Sequence, residues 1–254
     1  MKWWAKLSLI LFILGLILTV IGFSLGGSII EIFRLNGEES TLEEEYEIDE
    51  IKSLDLEIGA AKVEVREGTG FRIKAQGTFE NRFSSKVEDG TWKIKNKGIT
   101  SNFFALGNQE VTILIEIPKD MKFENLKLDI GAGELQADKL MAQNSKIEVR
   151  TGNLKMKEFV TDRIDLNCGV GNVEIAGDIK QGGKVECGIG NVMIQLVKSQ
   201  ENYNYKVEVG IGKVRLGDDS YSGLGNERRI NSNPTQNYFE LSCGVGKVEI
   251  KFDK

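Results

Sequence analysis

The chain contains no histidine, and its 254 residues include only 2 Pro and 3 Cys. Without imidazole there is no Ser-His or Cys-His nucleophile pair, no ordinary general base near neutral pH, and none of the commonest metal ligand. Two prolines exclude a Pro-rich linker, and three cysteines with no Cys-x-x-Cys pair make no recognisable zinc pattern. A dominant charge is missing too: 33 basic and 38 acidic residues leave a net −5 spread along the chain, with no basic stripe to follow nucleic-acid phosphates. These absences argue against an enzyme, a resident cofactor or metal, and a nucleic-acid partner. They identify no small-molecule substrate.

Glycine is abundant, at 29 residues, in a chain that is 41% hydrophobic. Gly133, Gly152, Gly171 and Gly190 recur every 19 residues, and the same pattern returns at Gly212 and Gly246 after longer spacings. A degenerate copy runs from Leu54 to Val65. Self-similarity at a short fixed period marks stacked repeats.

Taking each of these glycines as the origin, five apolar columns emerge. Five residues before it stand Leu128, Ile147, Leu166, Val185, Val207 and Leu241; three before, Ile130, Val149, Cys168, Cys187, Val209 and Cys243. Immediately before it stand Ala132, Thr151, Val170, Ile189, Ile211 and Val245. Two after it come Leu135, Leu154, Val173, Val192, Val214 and Val248, and four after it Ala137, Met156, Ile175, Ile194, Leu216 and Ile250. Period two on either side of the glycine is the signature of a strand with one buried face, so all five columns are expected to point inward. Across the glycine the apolar step becomes three, which requires a corner, and Gly-x-Gly supplies it in every regular unit except Arg150-Thr151-Gly152. Asn153, Asn172 and Asn191 follow the glycine at identical spacing. Stacked rungs would join their amides in a ladder, whereas a meander of hairpins would hold them apart. The expectation is an all-β, parallel or mostly parallel β-solenoid with rungs of about 19 residues.

Outside the repeats, Leu7 to Ile30 is a run of 24 residues without a charged side chain, longer than the roughly 20 needed to span a bilayer as a helix. Lys2, Lys6, Trp3 and Trp4 precede it and a cluster of glutamates follows, which orients the N-terminus to the cytoplasm and the rest outside. A cleaved signal peptide, with Ser24 and Gly26 before the cut, is the competing reading; the length of the run favours an uncleaved anchor. Residues 1–30 thus form the cytoplasmic N-terminus and transmembrane anchor, 31–50 an acidic tether, 51–125 an irregular β part that caps the stack, and 126–252 the regular solenoid. The Gly/Asn/Ser-rich insertion 217–237 is expected to project from it as a loop.

Three clusters invite chemistry. Cys168, Cys187 and Cys243 share a column filled elsewhere by Ile and Val, which makes them core thiols, although Cys168 and Cys187 would lie one rung apart, near enough for a disulfide. The outward acids Asp129, Glu148, Glu186 and Glu208 stand beside Lys127, Lys146, Lys184 and Lys206. Ion-pair ladders account for them better than a calcium or polycation site, since no Ca²⁺ loop consensus is present. Gly-x-Gly is followed by strand residues rather than a helix, so it is no dinucleotide loop. Phe103 and Phe104 lie in an expected loop and either pack beneath it or contact a partner.

In the runs Ile113-Leu-Ile-Glu-Ile-Pro118, Leu126-Lys-Leu-Asp-Ile-Gly-Ala-Gly-Glu-Leu135 and Ile147-Glu-Val-Arg-Thr-Gly-Asn-Leu154, the chain resembles the bacterial putative-adhesin β-strand-repeat family, a domain of unknown function. The resemblance covers about residues 50 to 252. It implies a protein of the bacterial envelope, in some members carrying an N-terminal membrane segment or encoded near envelope-stress regulators, and it carries over no catalytic residue. The expected role is a membrane-anchored extracytoplasmic binding or scaffolding module, its partner an envelope polymer or protein. The alternative is a structural solenoid that polymerises end to end at the membrane, for which the final repeat, Phe239 to Phe252, offers an end with no obvious cap.

Overall fold

A computed structural model describes residues 39–47, 51–79, 82–97, 111–223, 226–230 and 236–253. The run Leu7 to Ile30 and the pair Phe103–Phe104 lie outside them. Among the described residues no helix is long and apolar enough to cross a membrane.

The strands are β1 (Glu39–Tyr46), β2 (Ser53–Ile58), β3 (Lys62–Gly68), β4 (Phe71–Phe79), β5 (Phe83–Glu88), β6 (Thr91–Asn96), β7 (Thr112–Pro118) and β8 (Lys122–Ile130). They continue as β9 (Glu134–Val149), β10 (Asn153–Ile179), β11 (Gly182–Leu196), β12 (Asn204–Val209), β13 (Lys213–Leu216), β14 (Asp219–Ser222), β15 (Asn226–Ile230) and β16 (Tyr238–Phe252). The chain coils so that each repeat lies parallel on the next, in the register that the 19-residue period dictates: Leu166 faces Ile147, Cys168 faces Val149, and Val173 faces Val192. β10 is longer than one period and therefore runs through more than one rung.

Four of the five apolar columns are buried as expected, from Leu128, Ile147, Leu166, Val185, Val207 and Leu241 at one side to Ile175, Ile194, Leu216 and Ile250 at the other. At very roughly 1.5–3 kcal/mol per fully buried large side chain, continuity of these columns offsets an ordering cost that no single rung could meet. The fifth column is a correction. Val170, Ile189, Val245 and Ile211 are 48%, 55%, 46% and 73% exposed. The bend starts right after the inward residue three before the glycine, so period two ends there and the residue at the apex of the convex corner points to solvent.

Three further expectations are corrected at the ends of the stack. The segment read as a tether contributes β1, paired antiparallel with β4, where Tyr46 packs on Trp92 with ring centroids 5.4 Å apart. The insertion 217–237 does not simply project, because β14 and β15 within it pair antiparallel with β13 and β12. The final repeat is not the end of the solenoid: β16 lies between β11 and the β12–β13 rung. A similar displacement occurs at the other end, where β2 and β3, first of the rung strands in the chain, are sandwiched between β6–β7 and β8–β9. Both ends therefore finish in antiparallel strands, with exposed Glu43 and Glu45 on β1 and Glu227 and Arg228 on β15. Charged side chains on edge strands discourage further pairing.

The corner glycines are required by close approach. A Cβ on Gly190, where φ is +151°, would lie 2.1 Å from the Gly171 carbonyl oxygen of the neighbouring rung. Gly190→Ala is expected to lower stability by about 2 kcal/mol or more, read as a drop in thermal midpoint. An unchanged midpoint would show that the rungs can separate at this corner without cost.

Candidate functional site

Stacking converts each outward position into a line of side chains, and three such lines run along the corner and the adjoining face. The first is the asparagine ladder: Asn172 Nδ2 donates to Asn153 Oδ1 and Asn191 Nδ2 to Asn172 Oδ1, each at 3.1 Å. In the next rungs the same position is held by Lys247 and Lys213. The corner glycines Gly133, Gly152, Gly171, Gly190, Gly246 and Gly212 stack beside it, each close to a backbone carbonyl of a neighbouring rung. On the other side of that glycine column the exposed Val170, Ile189, Val245 and Ile211 form an apolar ridge.

The thiols are stacked and enclosed. Cys168 faces Cys187, which faces Cys243; all three are buried and unpaired by disulfide. Cys187 is held above the ordinary thiol range by its hydrogen bond with Cys168 and by burial, Cys243 by burial, and Cys168 is drawn below it by the same hydrogen bond with Cys187. All three are shut off from solvent, and a reactive cysteine needs access as well as thiolate, so this column suits packing rather than nucleophilic chemistry.

The charged columns pair in more ways than a simple lateral ladder. Lys184 and Lys206 do reach the acids two residues on, Glu186 at 2.8 Å and Glu208 at 2.5 Å. Lys127 instead meets Asp55 on the adjacent rung at 3.1 Å, and Arg150 serves both Asp129, at 2.6 Å, and Glu148, at 3.4 Å. Among the described residues no three His, Cys, Asp or Glu side chains gather to hold a metal ion.

Further along the same strands lies a groove of about 590 Å³ that crosses the β8, β9, β10, β11 and β16 rungs. One wall carries Asn125, Asn144, Arg163 and Tyr238, interrupted at Gly182, which has no side chain and a φ of +84°. The other wall carries Lys127, Lys146, Asp165, Lys184 and Glu240. Between them the floor is Leu126, Ser145, Ile164 and Gly183. Ser145 Oγ and Thr161 Oγ1, 3.0 Å apart, satisfy each other beneath it, and Asn144 Nδ2 donates to Asn125 Oδ1 at 3.5 Å. Lys146 and Arg163 are exposed and form no ion pair among the described residues, unlike Lys127 and Lys184. Sequence reasoning singled out the lysine column but missed Asn125, Asn144, Arg163 and Tyr238. The 19-residue spacing of the first three was the available signal.

The family model described as Toastrack DUF4097 matches residues 51–201 and 119–236, most of the chain. The chain belongs to this Toastrack family. No curated protein matches it in sequence. Among solved structures, the Toastrack fold seen here is similar to a putative cell adhesion protein from Clostridium sporogenes, at 20% identity and a TM-score of 0.50, covering 85% of this chain and 100% of that one. A putative adhesin from Bacteroides fragilis aligns at 13% identity and a TM-score of 0.39, over 84% of this chain and 98% of the other. A putative lipid binding protein from Parabacteroides distasonis aligns at 17% identity and a TM-score of 0.37, over 85% and 98%.

The enclosed thiol column makes a direct prediction for the Toastrack domain. Ellman's reagent should leave all three cysteines untouched in the native protein and titrate all three after denaturation. Rapid native labelling of any one would contradict the burial of that column.

Proposed function

We propose that the chain is a membrane-anchored, extracytoplasmic, non-enzymatic module that binds or scaffolds components of the bacterial cell envelope. The observation that carries this reading is the groove, an open channel of polar side chains extending over five successive rungs. Its shape suits an elongated partner better than a small substrate enclosed on all sides. The sequence adds the anchor, Leu7 to Ile30, with its lysines on the cytoplasmic side. An adhesin-like role accords with the description of the Clostridium sporogenes protein, whose fold is shared. A place beside envelope-stress sensing belongs to the same reading, on the strength of the family resemblance.

End-to-end polymerisation receives less support. The repeat that was to provide the open end, Phe239 to Phe252, lies inside the stack, and the actual ends are antiparallel strands.

In cells the full chain should remain with the membrane pellet after carbonate extraction and should be cut by protease added outside intact spheroplasts. The purified full chain in detergent should be retained on isolated envelope material and sediment without concentration-dependent growth. A carbonate-extractable, protease-protected chain would remove the anchored extracytoplasmic reading; long concentration-dependent assemblies would restore the polymer.

A further inference from the structure

We infer that the five-rung groove is a binding site for a linear, hydroxyl-rich, anionic polymer lying along the solenoid axis. The inference rests on the envelope-binding reading and specifies the ligand and the residues that hold it.

Geometry supplies the polymer. Equivalent wall positions recur at the rung spacing of about 4.8 Å, so the four steps from the β8 rung to the β16 rung give a channel about 19 Å long. A ligand made of short repeating units meets similar partners at each step.

Charge supplies the anion. The protein is net negative at −5, and two of the groove's own cations are already engaged, Lys127 by Asp55 and Lys184 by Glu186. Among the cations that line the groove, Lys146 and Arg163 are the ones without such a partner. They stand on adjacent rungs and opposite walls, Arg163 beside Asn144 and Lys146 beside Asp165. Asp165 is the register partner of Lys146 but makes no ion pair with it among the described residues. The two cations therefore flank the channel with donor capacity to spare, which is the arrangement for charge-assisted hydrogen bonds to carboxylate or phosphodiester oxygens.

The remaining lining supplies the hydroxyls. Asp165, and Glu240 through the oxygen not taken by Lys206 at 3.0 Å, accept from O–H groups and repel a densely charged backbone, so a bare polyphosphate or nucleic acid fits poorly. Asn125 and Asn144 donate and accept, and the half-buried Tyr238 lines one end of the channel. At the β11 rung the wall opens because Gly182 has no side chain. A Cβ on Gly182, where φ is +84°, would lie 2.3 Å from the Tyr238 carbonyl oxygen, so glycine there is fixed by packing and the notch is built into the fold.

The test measures binding of the full-length chain in detergent micelles to polygalacturonate, poly(glycerol phosphate), neutral dextran and single-stranded DNA over a range of salt. The expected result is binding to at least one of the first two, weakening with salt, and no comparable binding to dextran or DNA. Carboxylate and phosphodiester are told apart by which of the two binds. The double variant Lys146→Ala/Arg163→Ala should lose about tenfold or more in affinity with no change in thermal midpoint, Lys146→Arg/Arg163→Lys should retain binding, and Lys155→Ala, outside the groove, should behave as wild type. Binding that survives the double alanine variant, equals that of dextran or DNA, or is absent for both anionic polymers would overturn the inference. Retention on whole envelope material in any of those cases would leave the broader module reading standing, so the two failures are separable.

Discussion

Everything in this molecule depends on rungs approaching closely enough at the corner for their backbones to touch. The corner glycines make that contact possible, and hydrogen bonds cross it directly: Val170 N donates to Arg150 O at 2.7 Å and Ile211 N to Gly244 O at 2.8 Å. Backbone polar groups that would be stranded at a bend are satisfied by the neighbouring rung. Once the corner is locked, the flanking strands have no freedom of register, and each inward column becomes a continuous apolar wall. The same lock aligns the asparagines, the thiols and the groove.

The ends solve the problem that a parallel stack creates for itself. A rung with no neighbour exposes a full row of unpaired N–H and C=O groups. Here both ends break the sequential order of the rungs and then add antiparallel strands, β4 and β1 on one face and β5 on the other, with β14 and β15 at the far end. Rings fill the space that these changes of direction create. Tyr46, Trp92, Phe71 and Phe123 form a chain of contacts at one end, and Tyr203, Tyr205 and Phe239 another near the opposite end.

The stack was legible because its repeats preserve chemistry at a constant spacing: Leu166, Val185 and Leu241 each occupy the place of Ile147, and a solenoid is the architecture that turns such equivalence into contact. The exposed ridge was not, because Val170 and Ile189 are apolar and keep period two with Cys168 and Cys187, while only the bend decides which way they face. The position of β16 was hidden for a different reason. Nothing in a repeated pattern says which copy neighbours which after an insertion, since Val248 would pair as well with Val192 as with Val214, and it meets both. The groove walls were half visible. Lysines at 127, 146 and 184 stood out by charge, whereas Arg163 and Tyr238 acquire meaning only when the floor between the walls is seen to be lined by small and buried residues.

The insertion of β16 between strands made earlier bears on how the chain reaches this state. β11 and the β12–β13 rung carry matching apolar columns, so without β16 between them their direct union would keep nearly native pairing. In the finished stack Phe239 lies opposite Gly183 on one side and Tyr205 on the other, with its ring 6.1 Å from that of Tyr205. One large ring set between a residue with no side chain and another ring fills this layer across three rungs, so the packing here joins neighbours in space that are remote in the chain.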